Sequence, residues 1–468
     1  MNGANAKMTR RPTTEVGDIM EAVKLKHASS DAMQKPIGEI LGSDEIDGGK
    51  RRSPDPNAPI YGELIVLGTN GSLPCPQISS KMSHSFILRK QARATGVSVI
   101  TRDPQDMDSL ARKSTHTVTM NKTASNSTVT EYGHDPSTDL FQIGRSADSA
   151  IDFVVVETVT GLDGQRAYKG NSTVSRYACR IQCERRPPYS ARLYAAAFDT
   201  HGRIQLSANA PMWQASTSDY DGLTTNGIAI MRPVGTFESG VSPSAWREVS
   251  VMGNMLKLRE QRSSRNPGDE MPEETNILTD GCLIDLCGIT LMFRTAIGLA
   301  QGPSQTILRE HRRALNEKSP QCAVNLLTLH FRSGSGVSAV SADTITDLDE
   351  AVSASSREPW VYLRCGHIYS QHGWTAGPEE SDKYRTCPLC REAGPYVKLE
   401  LGRERGFFID DGPLSHAFVP CGHITSEKTT RYWLNVLIPH LASEWIPRCP
   451  FCSAALDRNT PTVKLIFS

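Results

Sequence analysis

The 468-residue chain carries 51 Lys and Arg against 51 Asp and Glu, for a formal net charge of zero. That balance removes the general attraction to nucleic acid or anionic membrane that a basic excess supplies, leaving only local patches. The length suits two or three domains with ample chain for a core. Twelve cysteines with no apolar leader in the first residues point to a reducing, cytosolic setting rather than a disulfide framework. The longest apolar-rich run, residues 283–293, contains Asp285 and is too short to cross a bilayer, so no membrane insertion is expected.

Residues 1–56 are polar, with a mixed-charge segment at 43–52, and read as a disordered tail with a short amphipathic helix near 19–25. From residue 60 the character changes. Runs at 60–67, 85–89, 140–143, 151–157, 177–184, 192–198, 228–231, 246–252, 283–287 and 289–293 are short, rich in β-branched and aromatic residues, and bounded by Gly, Asn, Asp or Ser. Many short strands with little helical period between them indicate a β-sandwich or barrel. Within 177–184 the odd positions face a core, which makes Cys179 and Cys183 buried thiols. The stretches 101–130 and 209–222 break the strand rhythm and read as insertions on the sandwich. Residues 303–318 are expected to be helical, with Leu308, His311, Arg312 and Leu315 at helical spacing. Residues 332–358 read as a linker. Beyond it, 430–437 suits a short helix ended by Pro439, and 463–467 a closing strand.

Three polar clusters fall at strand ends of the sandwich: Gly144-Arg145-Ser146, Ser175-Arg176 and Thr224-Thr225-Asn226-Gly227. Each alone is an ordinary turn. Together, in this order on an all-β domain, they resemble the forkhead-associated (FHA) domain, a sandwich whose loops bind phosphothreonine. A phosphate brings close to two negative charges and three acceptor oxygens, which guanidinium and hydroxyl donors satisfy. By that resemblance Arg145 and Ser175 hold the phosphate, Arg176 and Thr225 support it, and Asn226 bonds the peptide backbone. The family's S-x-x-H pattern is broken, with Ala178 at the His position.

The C-terminal region repeats one unit. Cys365-Gly366-His367 and Cys387-Pro388-Leu389-Cys390 are followed by Cys421-Gly422-His423 and Cys449-Pro450-Phe451-Cys452. Zinc takes thiolate and imidazole in fours, from ligand pairs a few residues apart, so Cys365, His367, Cys387, Cys390, Cys421, His423, Cys449 and Cys452 suffice for two zinc ions. Gly in each C-G-H and Pro in each C-P-x-C suit a tight knuckle. His372, His416 and His440 have no close cysteine partner and read as non-ligands. The order resembles the RING class in a variant form, with Ser370 and Ser426 where a RING usually has a cysteine. Both an interleaved cross-brace and two consecutive Cys3His sites use these same eight side chains.

The expected architecture is mainly β: an FHA-type sandwich with wing insertions, then a small two-zinc RING-like domain. The boundaries are a tail at 1–56, the sandwich at 57–300, helix and linker at 301–358, and the zinc domain at 359–468. This combination resembles the Pellino family of ubiquitin ligases. Strings such as Asp139-Leu140-Phe141-Gln142-Ile143-Gly144-Arg145-Ser146 and His416-Ala417-Phe418-Val419-Pro420-Cys421-Gly422-His423 carry the resemblance. It implies a cytosolic ligase acting downstream of Toll and interleukin-1 type receptors. Its partners would be phosphorylated interleukin-1-receptor-associated type kinases, a ubiquitin-conjugating enzyme and ubiquitin. RING-type catalysis works by proximity and needs no nucleophile of its own, so no catalytic residue is assigned. Arg391, after Cys390, is the candidate ubiquitin clamp, and Ile424, Trp433 and Pro450 the candidate contacts to the conjugating enzyme. Two other classes remain: a phosphoprotein-binding scaffold without ligase activity, and a zinc-stabilised nucleic-acid binder, which neutral charge and the lack of a basic aromatic stripe disfavour.

Overall fold

The computed structural model describes residues 57–71, 83–100, 114–123, 126–160, 166–168, 172–214, 220–236, 240–318, 320–331, 357–371, 384–402, 404–440 and 444–467. The tail at 1–56, the helix near 19–25, most of the 332–358 linker and His372 lie outside the described residues.

A seven-stranded antiparallel sheet organises the N-terminal half. Its spatial order is Met255–Lys257, Arg247–Val249, Ala229–Met231, Cys282–Asp285, Thr290–Thr295, Ile60–Val66 and Ser85–Arg89. The first strand is apolar at nearly every position because both of its faces are covered. Leu64 and Val66 point into the sandwich core with Ile143, Phe153, Ile181 and Leu193. Ile65 and Leu67, one residue out of phase, point to the opposite face and pack with the C-terminal region.

The facing layer is a four-stranded sheet of Ala191–Ala195, Cys179–Glu184, Thr138–Gly144 and Phe153–Val154. Cys179, Ile181 and Cys183 face the core as expected and are fully buried. The opposite face is not solvated as simple alternation implies: Arg180 is buried too. The described parts of both interruptions pair as antiparallel strands. Part of the first, His116–Thr123 with Asn126–Asp135, joins Arg203–Leu206 and Gly96–Val99 in a third sheet and puts Val118, Met120 and Tyr132 into the main core. The second pairs Met212–Gln214 with Tyr220–Gly222.

The helix Gln305–Glu317 is capped by Ser304, whose side chain accepts from the Ile307 N–H. Cys322, Leu329 and Phe331 then enter the C-terminal core. That core holds two four-stranded sheets. One is ordered Ile368–Ser370, Pro359–Tyr362, Ala393–Lys398 and Tyr384–Thr386; the other Glu400–Leu401, His423–Thr425, His416–Phe418 and Thr462–Lys464. The helix Glu427–Asn435 starts three residues ahead of the expected 430 because Ser426 caps it, accepting from Thr429 N–H. The closing strand, Thr462–Lys464, is shorter than the expected 463–467.

Candidate metal and phosphate sites

Two donor clusters form, each from consecutive pairs. Cys365, His367, Cys387 and Cys390 bring their ligand atoms within 4.8 Å of one another, and Cys421, His423, Cys449 and Cys452 do the same. The first pair thus meets the second, and the third meets the fourth, which is the consecutive arrangement.

The halves are built alike. Gly366 N donates to Tyr362 O at 2.8 Å, and Gly422 N to Phe418 O at 2.8 Å. Both glycines have positive φ, +79° and +75°, where a side chain is strained. Each also packs on a carbonyl of the opposite half, Gly366 on Lys464 and Gly422 on Lys398. Those lysines mark a further repeat, Val397-Lys398-Leu399 and Val463-Lys464-Leu465, that the ligand motifs do not announce. Each V-K-L segment leaves its own half to bond the other half's turn, through Glu400 N to Gly422 O at 3.1 Å and Ile466 N to Gly366 O at 2.8 Å.

The donors fit a divalent cation. Three thiols and an imidazole make each set, the soft chemistry that zinc takes. His423 Nδ1 is buried with no hydrogen-bond partner among the described residues, while its Nε2 lies 3.5 Å from Glu400 Oε2. A carboxylate on the far nitrogen can orient a ligating imidazole, and Glu400, which the ligand motif does not reveal, stands where it could do so. The donors lie close enough to shift one another's proton affinities, and a bound cation would displace those protons. Hydrogen bonds from Cys421 and Cys449 pull the Cys452 thiol down. Burial alone would lower His423, but the neighbouring thiols of Cys421 and Cys452 outweigh it and raise the imidazole to about 10. In the first cluster burial would raise Cys387, yet the N–H groups of Cys390 and Leu389 bring it below the ordinary thiol value.

Ser370 and Ser426, where a RING usually has cysteine, are structural. Ser370 is buried and accepts from Asn325 Nδ2 at 2.5 Å; Ser426 caps its helix and bonds Asp410. Ile424, Trp433 and Pro450, expected as contacts for a conjugating enzyme, are buried instead. Ile424 and Trp433 belong to the C-terminal core, the Trp433 Nε1 donating to Phe407 O at 2.9 Å. Pro450 O accepts from Gly68 N of the sandwich at 2.9 Å. Arg391 is exposed.

At one end of the sandwich the phosphate-type residues meet. Arg145 N donates to Ser175 O at 3.1 Å, and Ser146 N to Arg176 O at 3.1 Å. Arg145 Nε donates to Val174 O at 2.7 Å. Asn226 Nδ2 reaches Thr173 O at 2.7 Å and Ser175 Oγ at 3.2 Å. Thr225 and Arg176 are exposed. Guanidinium, hydroxyl and amide donors converging in this way suit an anion with several acceptor oxygens.

The groups that hold these loops are not legible from the motifs. Ala178, at the broken His position, is buried and props nothing by side chain. Asp148 takes over that region, accepting from Tyr177 and from Ser146 Oγ at 2.8 Å and pairing with Arg176 at 3.4 Å. Hydrogen bonding from Tyr177, then Ser146, keeps its carboxyl below the usual range. The loop 224–227 hangs on two arginines. Arg259 donates to Thr224 O at 2.9 Å and is locked by the buried Glu248. Arg262 reaches the Asn226 and Gly227 carbonyls at 3.4 Å and pairs with Asp285. Glu248 and Asp285 lie 11 and 23 residues from their arginines, outside the 224–227 motif, so the motif itself does not announce them.

A family model for the Pellino FHA domain matches residues 52–311, and one for the Pellino RING domain matches 315–468. The chain is 43% identical over 411 residues to the E3 ubiquitin-protein ligase pellino homolog 3 of Mus musculus, covering 87% of this chain and 89% of that protein. It is 42% identical over 412 residues to pellino homolog 2 of Homo sapiens, covering 87% and 94%. Against the protein pellino of Drosophila melanogaster the figures are 40% over 443 residues, 94% and 98%. The chain therefore belongs to the Pellino family of E3 ubiquitin-protein ligases, with an FHA domain followed by a RING domain.

Proposed function

We propose that this chain is a cytosolic ligase that docks phosphothreonine-bearing signalling kinases, of the interleukin-1-receptor-associated type, and directs ubiquitin onto them in Toll and interleukin-1 receptor signalling. The observation that carries the reading is the hydrogen-bonded grouping of the Arg145, Ser175, Arg176 and Asn226 segments at one sandwich end of a ligase-family chain, with Thr225 exposed beside Asn226. Arg145 and Ser175 hold the phosphate, with Arg145 oriented through its bond to Val174 O. Arg176 and Thr225 add donors at the rim, and Asn226 fixes the client backbone.

Each Cys3His cluster would hold one zinc ion, whose role there would be structural. The conjugating enzyme brings ubiquitin as a thioester. The client lysine attacks the thioester carbonyl, the isopeptide bond forms, and the enzyme's thiol leaves as the amine gives up a proton. The ligase adds proximity, worth several kcal/mol when reacting groups are held in place. Arg391 is the candidate contact to the carried ubiquitin.

Arg145→Ala tests the phosphate reading. Phosphothreonine-peptide affinity is expected to fall at least about tenfold, as loss of charge-assisted hydrogen bonds to a phosphate would cause. Unchanged affinity in a folded variant places the pocket elsewhere.

A further inference from the structure

The second C-P-x-C knuckle docks on the sandwich at the strand ends that anchor the pocket loops. Gly68 N donates to Pro450 O at 2.9 Å, and Ser453 Oγ to Leu67 O at 3.0 Å. Gly68 has φ +82°, and a Cβ there would collide with Ser453. The turn 67–71 passes the contact on. Leu67 N donates to Thr290 O at 2.9 Å, Gly71 N to Val156 O at 2.9 Å, and Val156 N to Asn70 Oδ1 at 2.7 Å. Thr290 and Val156 each adjoin a carboxylate. Thr290 Oγ1 donates to Asp285 Oδ1 at 3.1 Å, and Glu157 follows Val156 in the chain.

Those two carboxylates anchor two loops of the phosphate pocket. Glu157 accepts from Ser172 Oγ at 3.3 Å and Thr173 N at 3.4 Å, and Thr173 O in turn accepts from Asn226. Asp285, fully buried, pairs with Arg262, which reaches the Asn226 and Gly227 carbonyls. Two carboxylates behind a site for a dianion oppose what it binds, and low-dielectric surroundings strengthen the opposition. The knuckle brings a cation to them. Arg448 immediately precedes Cys449, and its backbone is fixed by an antiparallel bridge to Ala455. Its Nε is buried without a hydrogen-bond partner among the described residues. Burial lowers its pKa from the usual arginine value, and the charges of Asp285, Cys452 and Glu157 act against that. The first knuckle has Thr386 at the equivalent position, so the cation is particular to the half that docks.

We propose that Arg448 is a positioning residue of the phosphate pocket, supplied by the zinc region: it offsets Asp285 and Glu157, so that these carboxylates anchor the loops 172–176 and 224–227 without repelling the phosphate. The second knuckle sets where Arg448 stands, so the pocket is complete only with that knuckle docked. This inference rests on the phosphate reading above.

The test uses the full zinc-loaded chain and a phosphothreonine-centred peptide library, with the unphosphorylated library as blank. Arg448→Met, which keeps most of the bulk, is expected to weaken phosphopeptide binding about fivefold, the order set by one charge acting across a partly screened protein interior. Zinc content and the unfolding midpoint identify the variants that remain folded. Arg448→Lys, which keeps the charge, should retain most of the affinity. Glu157→Gln should raise affinity more in the Arg448→Met chain than in the wild-type chain, as groups that act on each other require. Additive effects would mean that Arg448 acts by packing alone, and would overturn the inference. So would wild-type affinity in Arg448→Met, if Arg145→Ala loses binding in the same assay; the phosphate reading would then stand. If Arg145→Ala also binds as wild type, the phosphate reading itself fails.

Discussion

Arg180 sits in the middle of a strand with its whole side chain buried. It donates to Ala195 O at 2.8 Å, Ala196 O at 2.9 Å and Val251 O at 2.8 Å. The rings of Tyr194 and Phe198 flank its guanidinium at 4.8 and 5.1 Å. Burial lowers its pKa from the usual arginine value. Three carbonyls depend on this one cation, so Arg180→Met, which keeps the bulk, should cost about 3 kcal/mol or more in denaturant unfolding, since buried acceptors left unpaired are expensive. An unchanged unfolding midpoint would contradict it. An arginine in an alternating strand reads as solvent-facing, and nothing adjacent reveals that carbonyls up to 71 residues away are waiting for it. The pocket residues are easier to read. Arg145, Ser175 and Asn226 lie in a recognisable order and the fold brings them together. Their supports, Asp148, Arg259 and Arg262, escape notice because their pairings with Tyr177, Glu248 and Asp285 lie outside the three polar clusters.

The short apolar runs between turn formers coincide with strands, but Gly96–Val99, Arg203–Leu206, the hairpin strands His116–Thr123 and Asn126–Asp135, and the zinc-region strands before the closing one are too short or too polar to stand out in the sequence. The C-terminal helix begins early because a capping serine, not the apolar period, sets its start. Ligand identity comes from the repeated motif, but ligand sharing does not, because both pairings use the same eight side chains. The hairpins decide it, folding each C-G-H against the C-P-x-C next in the chain. A double variant separates the two arrangements. Cys365→Ser with Cys387→Ser strikes one cluster here, so one zinc per chain should remain by elemental analysis. A cross-brace would place those two residues in different sites, and zinc would be lost from both.

The two halves of the molecule share a core. Ile65, Leu67, Met231, Leu283 and Met292 of the seven-stranded sheet belong to one buried cluster with Tyr362, Phe407 and Trp433 of the zinc region. Trp246 Nε1 donates to Leu437 O at 2.8 Å and its ring lies 5.5 Å from Trp445; Arg294 donates to Gly406 O at 2.8 Å. The doubly apolar strand 60–67 is a sign that something covers the sheet's outer face, but periodicity cannot name the cover. A sandwich packed in this way carries the zinc region at a set position, so under the proposed function a docked client would meet the same geometry each time. The direct test is reconstituted ubiquitin transfer to one kinase client, phosphorylated on threonine or not. The account predicts modification of the phosphorylated form well above the other, and loss of that difference with Arg145→Ala while discharge of the conjugating enzyme to free lysine is unchanged. Equal modification of both forms by the wild-type chain would contradict it.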